Sequence, residues 1–179
     1  MPRAKSLTGC SGQAHLDPMP AWKDVASSAP ELARLVRTRF EATGLGLLAT
    51  LRRDGSPRIS GIEPLFTDDE LWLGMMPGSL KATDLLRDPR FALHSATVDK
   101  QVTEGDARVS GRAVLVEDEP TKAAFRAAFK DHNGTDIPPG DFTLFRGDVT
   151  ELSTILPGGD HLNIDHWREG QPPRRVERY

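Results

Sequence analysis

The stretch Leu45-Gly46-Leu47-Leu48-Ala49-Thr50-Leu51, followed by Arg53-Asp54-Gly55-Ser56 and then by Pro57 to Phe66, decides how this chain is read. An Asp-Gly pair between two apolar, strand-like runs is a strong short-range signal for a β-hairpin. A third run, Leu71-Trp72-Leu73-Gly74-Met75-Met76, follows an acidic turn at Thr67-Asp68-Asp69-Glu70, so residues 45–76 read as an antiparallel meander. Pro77-Gly78 then breaks the chain. Ser79 is placed to cap a short helix from Leu80 to Arg87, which stops at Asp88-Pro89.

Upstream, Leu32, Leu35, Val36 and Phe40 recur at three- and four-residue spacing, the pattern of one helix face, with Pro30 in its first turn and Gly44 just past its end. Downstream, strands are expected at Phe91–Ser95, Ala107–Glu117, Phe142–Leu156 and His161–Trp167. Between the second and third of these, Asp118 can cap a helix with Pro120 in its first turn, Phe125, Ala128 and Phe129 on its buried side, and Asn133-Gly134 at its end. Six or seven short strands with inserted helices predict a mainly β fold with α additions, an antiparallel β-barrel and not a parallel doubly wound sheet. Residues 1–28 are expected to form a flexible leader, 29–168 the folded domain and 169–179 a Pro- and Arg-rich tail.

The 179 residues carry 23 Lys plus Arg against 26 Asp plus Glu, a formal net charge of −3, and 37% hydrophobic residues. That composition fits one folded domain with a core of its own. The single Cys10 excludes an internal disulfide and a Cys-rich zinc site, and fits a reducing cytoplasm. No apolar run reaches about 18 residues, so no membrane partner is expected. The opening residues lack the apolar segment of a signal peptide, and a cytoplasmic location is expected. Basic residues are dispersed among acids, which argues against a nucleic-acid partner. With five His and one Tyr, the side chains that most often carry catalysis are scarce.

The chemistry is concentrated in Met75-Met76-Pro77-Gly78-Ser79-Leu80-Lys81-Ala82, where a strand ends, Gly permits a tight turn, and Ser and Lys stand at a helix start. Free N–H groups and the positive end of the helix dipole favour an anion there, and a hydroxyl and an ammonium complete a phosphate cradle. Taken alone, the pattern is more often a plain N-cap and a solvated lysine than an anion site. Arg58 lies one strand upstream, within reach of a ligand spread across the meander. Met75 suits either a ligand wall or the core, while Trp72 shares a face with Gly74 and Met76 and is read as core. On a strand His161 and Asp165 face one side and His166 the other, so no metal site is expected. His94 reads as a core or interface histidine, and Ser60 has no His and Asp in a triad-like order.

Arg58-Ile59-Ser60-Gly61-Ile62-Glu63, then Gly78-Ser79-Leu80-Lys81-Ala82, then Asp84 to Leu93, resemble in order and spacing the FMN-binding split barrel of the pyridoxamine 5′-phosphate oxidase family, over roughly residues 45–115. The resemblance implies a homodimeric split barrel with the cofactor at the subunit interface. The FMN ring would run along Arg58, Ile59, Ser60 and Gly61 near Met75, with its phosphate on Ser79 and Lys81. The implied activity is hydride transfer to or from a small organic substrate, with the catalytic residue left open and no metal required. Two departures stand out: Leu80 where the oxidase usually has a second basic residue, and Glu63 where it has a substrate-contacting lysine. An acid there would repel a phosphorylated vitamin. The chain thus looks closer to the broad group of split-barrel reductases that use FMN or the deazaflavin F420. The alternatives are an F420-dependent reductase on the same fold and a non-catalytic module binding flavin or haem.

Overall fold

The computed structural model describes residues 20–137 and 140–179. Two helices, α1 (Trp22–Ser28) and α2 (Pro30–Glu41), precede four strands: β1 (Gly46–Leu51), β2 (Pro57–Ile62), β3 (Pro64–Phe66) and β4 (Leu71–Met75). Then follow α3 (Leu80–Arg87), β5 (Arg90–Ser95), β6 (Asp106–Val116), α4 (Glu119–Asn133), β7 (Thr143–Pro157), β8 (Leu162–Arg168) and β9 (Arg174–Arg178). Every strand pair is antiparallel.

The sheet runs β2-β1-β5-β6-β7-β4-β3, with β8 added on β7 and β9 on β8. The long β7 serves two neighbours on one edge: residues 143–146 pair with β4 and residues 151–157 with β8. The two ends of the path, β2 and β3, are separated in sequence by Glu63 alone. A sheet whose outermost strands are joined by one residue must curl until those ends meet. No ladder joins β2 to β3 among the described residues, so the barrel stays split at that seam.

Alternation along the strands fills the barrel. Leu48, Leu71, Leu73, Leu93, Val109, Phe145, Val149 and Leu152 are all buried in one cluster. Helices α1 and α2 close it, with Trp22, Val25, Leu32, Val36 and Phe40 in the same cluster. Phe66 anchors them: the Trp22 ring meets it edge-on at 4.7 Å between centroids, and Phe40 lies at 5.4 Å. Helix α4 packs outside the barrel, where Phe125, Leu65 and Leu144 form a second cluster with the half-buried Trp72 and Phe142. Gly74 permits that approach, since a Cβ there would lie 2.9 Å from the Phe125 ring.

Among the described residues nine strands stand where six or seven were expected. The run 57–66 breaks at Glu63, where the chain leaves one end of the sheet for the other. The tail contributes β9, paired with β8 over Leu162–His166 and bonded by Arg175 to Asp165. The boundary of the leader also moves. Residues 1–19 lie outside the described residues, but 22–28 are helical with Trp22 and Val25 buried, and the backbone is tied down by Lys23 N to Asp69 O at 3.1 Å. Seven residues with two apolar positions were too short to show a period in the sequence. Among the described residues no helix is long and apolar enough to cross a membrane.

Candidate anion cradle

Helix α3 begins with Ser79 as N-cap, whose Oγ accepts from the Ala82 N–H at 3.4 Å. Ahead of it Gly78 takes φ +65°, a left-handed turn that favours glycine. The helix is then bound to the β1–β2 hairpin by polar side chains at Lys81, Asp84 and Arg87, a three-residue spacing that puts all three on one face. Lys81 Nζ donates to the Gly61 carbonyl at 2.6 Å. Asp84 Oδ2 accepts from Thr50 Oγ1 at 2.9 Å and from Arg58 Nε at 2.6 Å. Arg87 donates to the Leu51 carbonyl and lies 3.4 Å from Asp84 Oδ1.

The Asp84 side chain is only 5% exposed. A buried carboxylate is tolerated when paired and hydrogen-bonded, as here. Burial pushes its carboxyl pKa up, but the hydrogen bonds from Arg58 and Thr50 and the Arg58 charge outweigh this and hold it below the ordinary value. Burial pulls the Lys81 ammonium below the usual lysine value, partly opposed by the nearby Glu63 carboxylate.

The expected site residues divide between the two faces of β2. Arg58 and Ser60 lie half-buried on one face, while Ile59, 71% exposed, and Gly61 lie on the other. A Cβ on Gly61 would meet nothing within 4 Å, so the strand is open there. The Met75 side chain is 4% exposed and belongs to the barrel core, because β4 points Leu71, Leu73 and Met75 inward. Met76 and Leu80 are the exposed apolar groups at the turn. Lys81 therefore stands without a second cation at position 80. Thr50, Asp84 and Arg87 escaped the sequence reading, although the spacing Lys81-x-x-Asp84-x-x-Arg87 was visible as a helix stripe. A helix start, Lys81 and an Arg58 guanidinium whose Nη atoms have no acceptor among the described residues are donors of the kind that suit a phosphomonoester.

The histidines singled out near the C-terminal strands have other partners. His161 lies 3.0 Å from Asp160, His166 3.1 Å from Glu151, and Asp165 receives both Arg175 donors at 2.7 Å. His94 Nδ1 is 2.7 Å from the Ser95 carbonyl. The outer face of β2, β1 and β5 exposes Ile59 and Leu47, with Leu45 beside it. A surface cavity of about 600 Å³ lies between α4, the Thr67–Glu70 turn, Trp72 and Arg146, and shares no residue with the cradle. In its wall Glu70 Oε2 is buried with no hydrogen-bond partner, 3.9 Å from Arg146 Nε. Burial raises the Glu70 carboxyl pKa, against the pull of Arg146.

The sequence model of the pyridoxamine 5′-phosphate oxidase family matches residues 32–156, which span β1 to β6, the cradle and most of β7. No curated protein matches the chain significantly. Among solved structures, PhzG from Burkholderia lata 383, in complex with tetrahydrophenazine-1-carboxylic acid, is 20% identical with a TM-score of 0.59, covering 90% of this chain and 96% of its own. A pyridoxamine 5′-phosphate oxidase-related, FMN-binding protein from Nostoc punctiforme PCC 73102 is 14% identical at TM-score 0.59, covering 84% and 95%. ChuZ from Campylobacter jejuni is 14% identical at TM-score 0.63, covering 79% of this chain and 61% of its own. At these identities the likeness is one of fold.

Proposed function

The chain belongs to the pyridoxamine 5′-phosphate oxidase family, and on that premise we propose that it binds FMN and passes a hydride to or from a small organic molecule. The observation that carries the reading is Lys81 at the start of α3, joined through Gly61 to the strand that bears Arg58. The FMN-binding relative from Nostoc punctiforme supports the choice of cofactor.

Bound FMN supplies the hydride chemistry, which removes the need for a nucleophile or general base among the few histidines. The chain's part is to bind and orient. Lys81 and the helix start neutralise the phosphate, and the Arg58 guanidinium adds directed donors. Gly61, with no side chain and open space beside it, leaves room for a flat ring against β2, and Ile59 offers an apolar edge. Glu63, exposed beside Lys81, disfavours a substrate with a phosphate of its own. The outward apolar face carrying Leu47 and Ile59 supports a homodimer that would cover the ring and exclude water.

Titration of FMN against Lys81→Ala tests the cradle. A charge-assisted contact of this kind is worth about 1.5–3 kcal/mol, so affinity is expected to fall roughly tenfold or more. Unchanged affinity would overturn the assignment.

A further inference from the structure

We propose that Asp84 is a positioning residue of the cradle: it holds the Arg58 guanidinium side-on through Nε, so that the two terminal nitrogens are left for a phosphomonoester. This rests on the reading that the cradle takes the phosphate of FMN. Asp84 is itself fixed before any ligand arrives. Thr50 holds Oδ2, and Arg87 lies against Oδ1. Arg58 is 20% exposed, and among the described residues its Nη atoms have no hydrogen-bond acceptor. An arginine ordered in advance does not lose its rotamer freedom on binding, so more of each contact appears as affinity. The same carboxylate also carries negative charge toward the phosphate, and this Coulomb effect has the opposite sign. The direction of change in an Asp84→Asn protein therefore separates positioning from mere charge.

The experiment titrates FMN and riboflavin, which differ by the phosphate, into wild type, Asp84→Asn, Arg58→Leu and the double variant. Wild type is expected to prefer FMN. Asp84→Asn is expected to lose about tenfold in FMN affinity, the size of one charge-assisted contact, with riboflavin affinity unchanged. In the Arg58→Leu background the Asn substitution is expected to cost nothing further, since a group acting through Arg58 has no effect without it. Thr50→Val, which keeps the charge and removes the hydroxyl that fixes Asp84, is expected to show a smaller loss confined to FMN, and it stands in if Asp84→Asn does not fold. FMN binding as tight as or tighter than wild type in Asp84→Asn, or an equal loss of both flavins, would overturn the positioning role. A wild-type protein with no preference for FMN over riboflavin would overturn the cradle reading and the proposal with it.

Discussion

Arg58 Nε donates to Asp84 Oδ2 across 2.6 Å, and through this bond the hairpin strand β2 and the helix carrying Lys81 become one unit. Ligand groups that meet both elements therefore meet a fixed geometry. The cost of bringing donors from two separate segments together is met during folding, before binding begins.

Helix α1 is expected to be part of the fold and not an appendage. Trp22 is buried against Phe66, so Trp22→Ala should destabilise the protein by roughly 3 kcal/mol or more. Urea denaturation checks this, and a midpoint equal to wild type would show that α1 adds nothing to the core.

Much of this architecture was legible in the sequence, for reasons that can be named. The Asp54-Gly55 turn, the inward alternation of Leu71, Leu73 and Met75, and the cap at Ser79 are local signals, and each element they mark is present. The tertiary relationships were not legible. Nothing local shows that β3 must leave β2 and close the far end of the sheet, which breaks the run at Glu63. Met75 shows the same limit: its position beside the cradle was plain, but only the sense of β4 in the barrel decides that its side chain points inward. Asp84 looked like an ordinary helix residue because its partners, Thr50 and Arg58, are distant in sequence.

Two glycines should respond in opposite ways. At Gly111, beside the register shift between β6 and β7, a Cβ would collide with the Asp148 carbonyl oxygen. Gly111→Ala is therefore expected to cost roughly 2–3 kcal/mol as the strands move apart. At Gly61 a Cβ meets open space, so Gly61→Ala should leave the melting temperature unchanged or slightly raised while weakening FMN binding. Thermal melts and flavin titration of both proteins check the pair.

Buried carboxylates of opposite shift give opposite pH dependence. Glu70 is raised by burial, so its contribution to stability is present below its unfolded value and lost as pH rises through the folded one. Glu70→Gln should therefore equal or exceed wild type in stability at pH 7, with the advantage fading toward about pH 4. Asp84 is lowered in the fold once the bonds from Arg58 and Thr50 have outweighed its burial, so its contribution is present above the unfolded value and lost on acidification. Asp84→Asn should therefore cost stability at pH 7 and little in acid. Denaturation series at the two pH values check both signs.

If the outer face of β2, β1 and β5 pairs two chains, Leu47→Asp should break the pair while leaving the monomer folded, because Leu47 points away from the core. Sedimentation velocity measures this directly. A dimer that survives the substitution would place its interface elsewhere.

The most direct measurement is a titration of the purified wild-type protein with FMN and with riboflavin, followed by flavin fluorescence. One FMN is expected to bind per chain, with riboflavin at least tenfold weaker for want of the phosphate that Lys81 and Arg58 hold. A protein that leaves the fluorescence of added FMN unchanged, or that binds both flavins equally, would contradict the cradle and the function drawn from it.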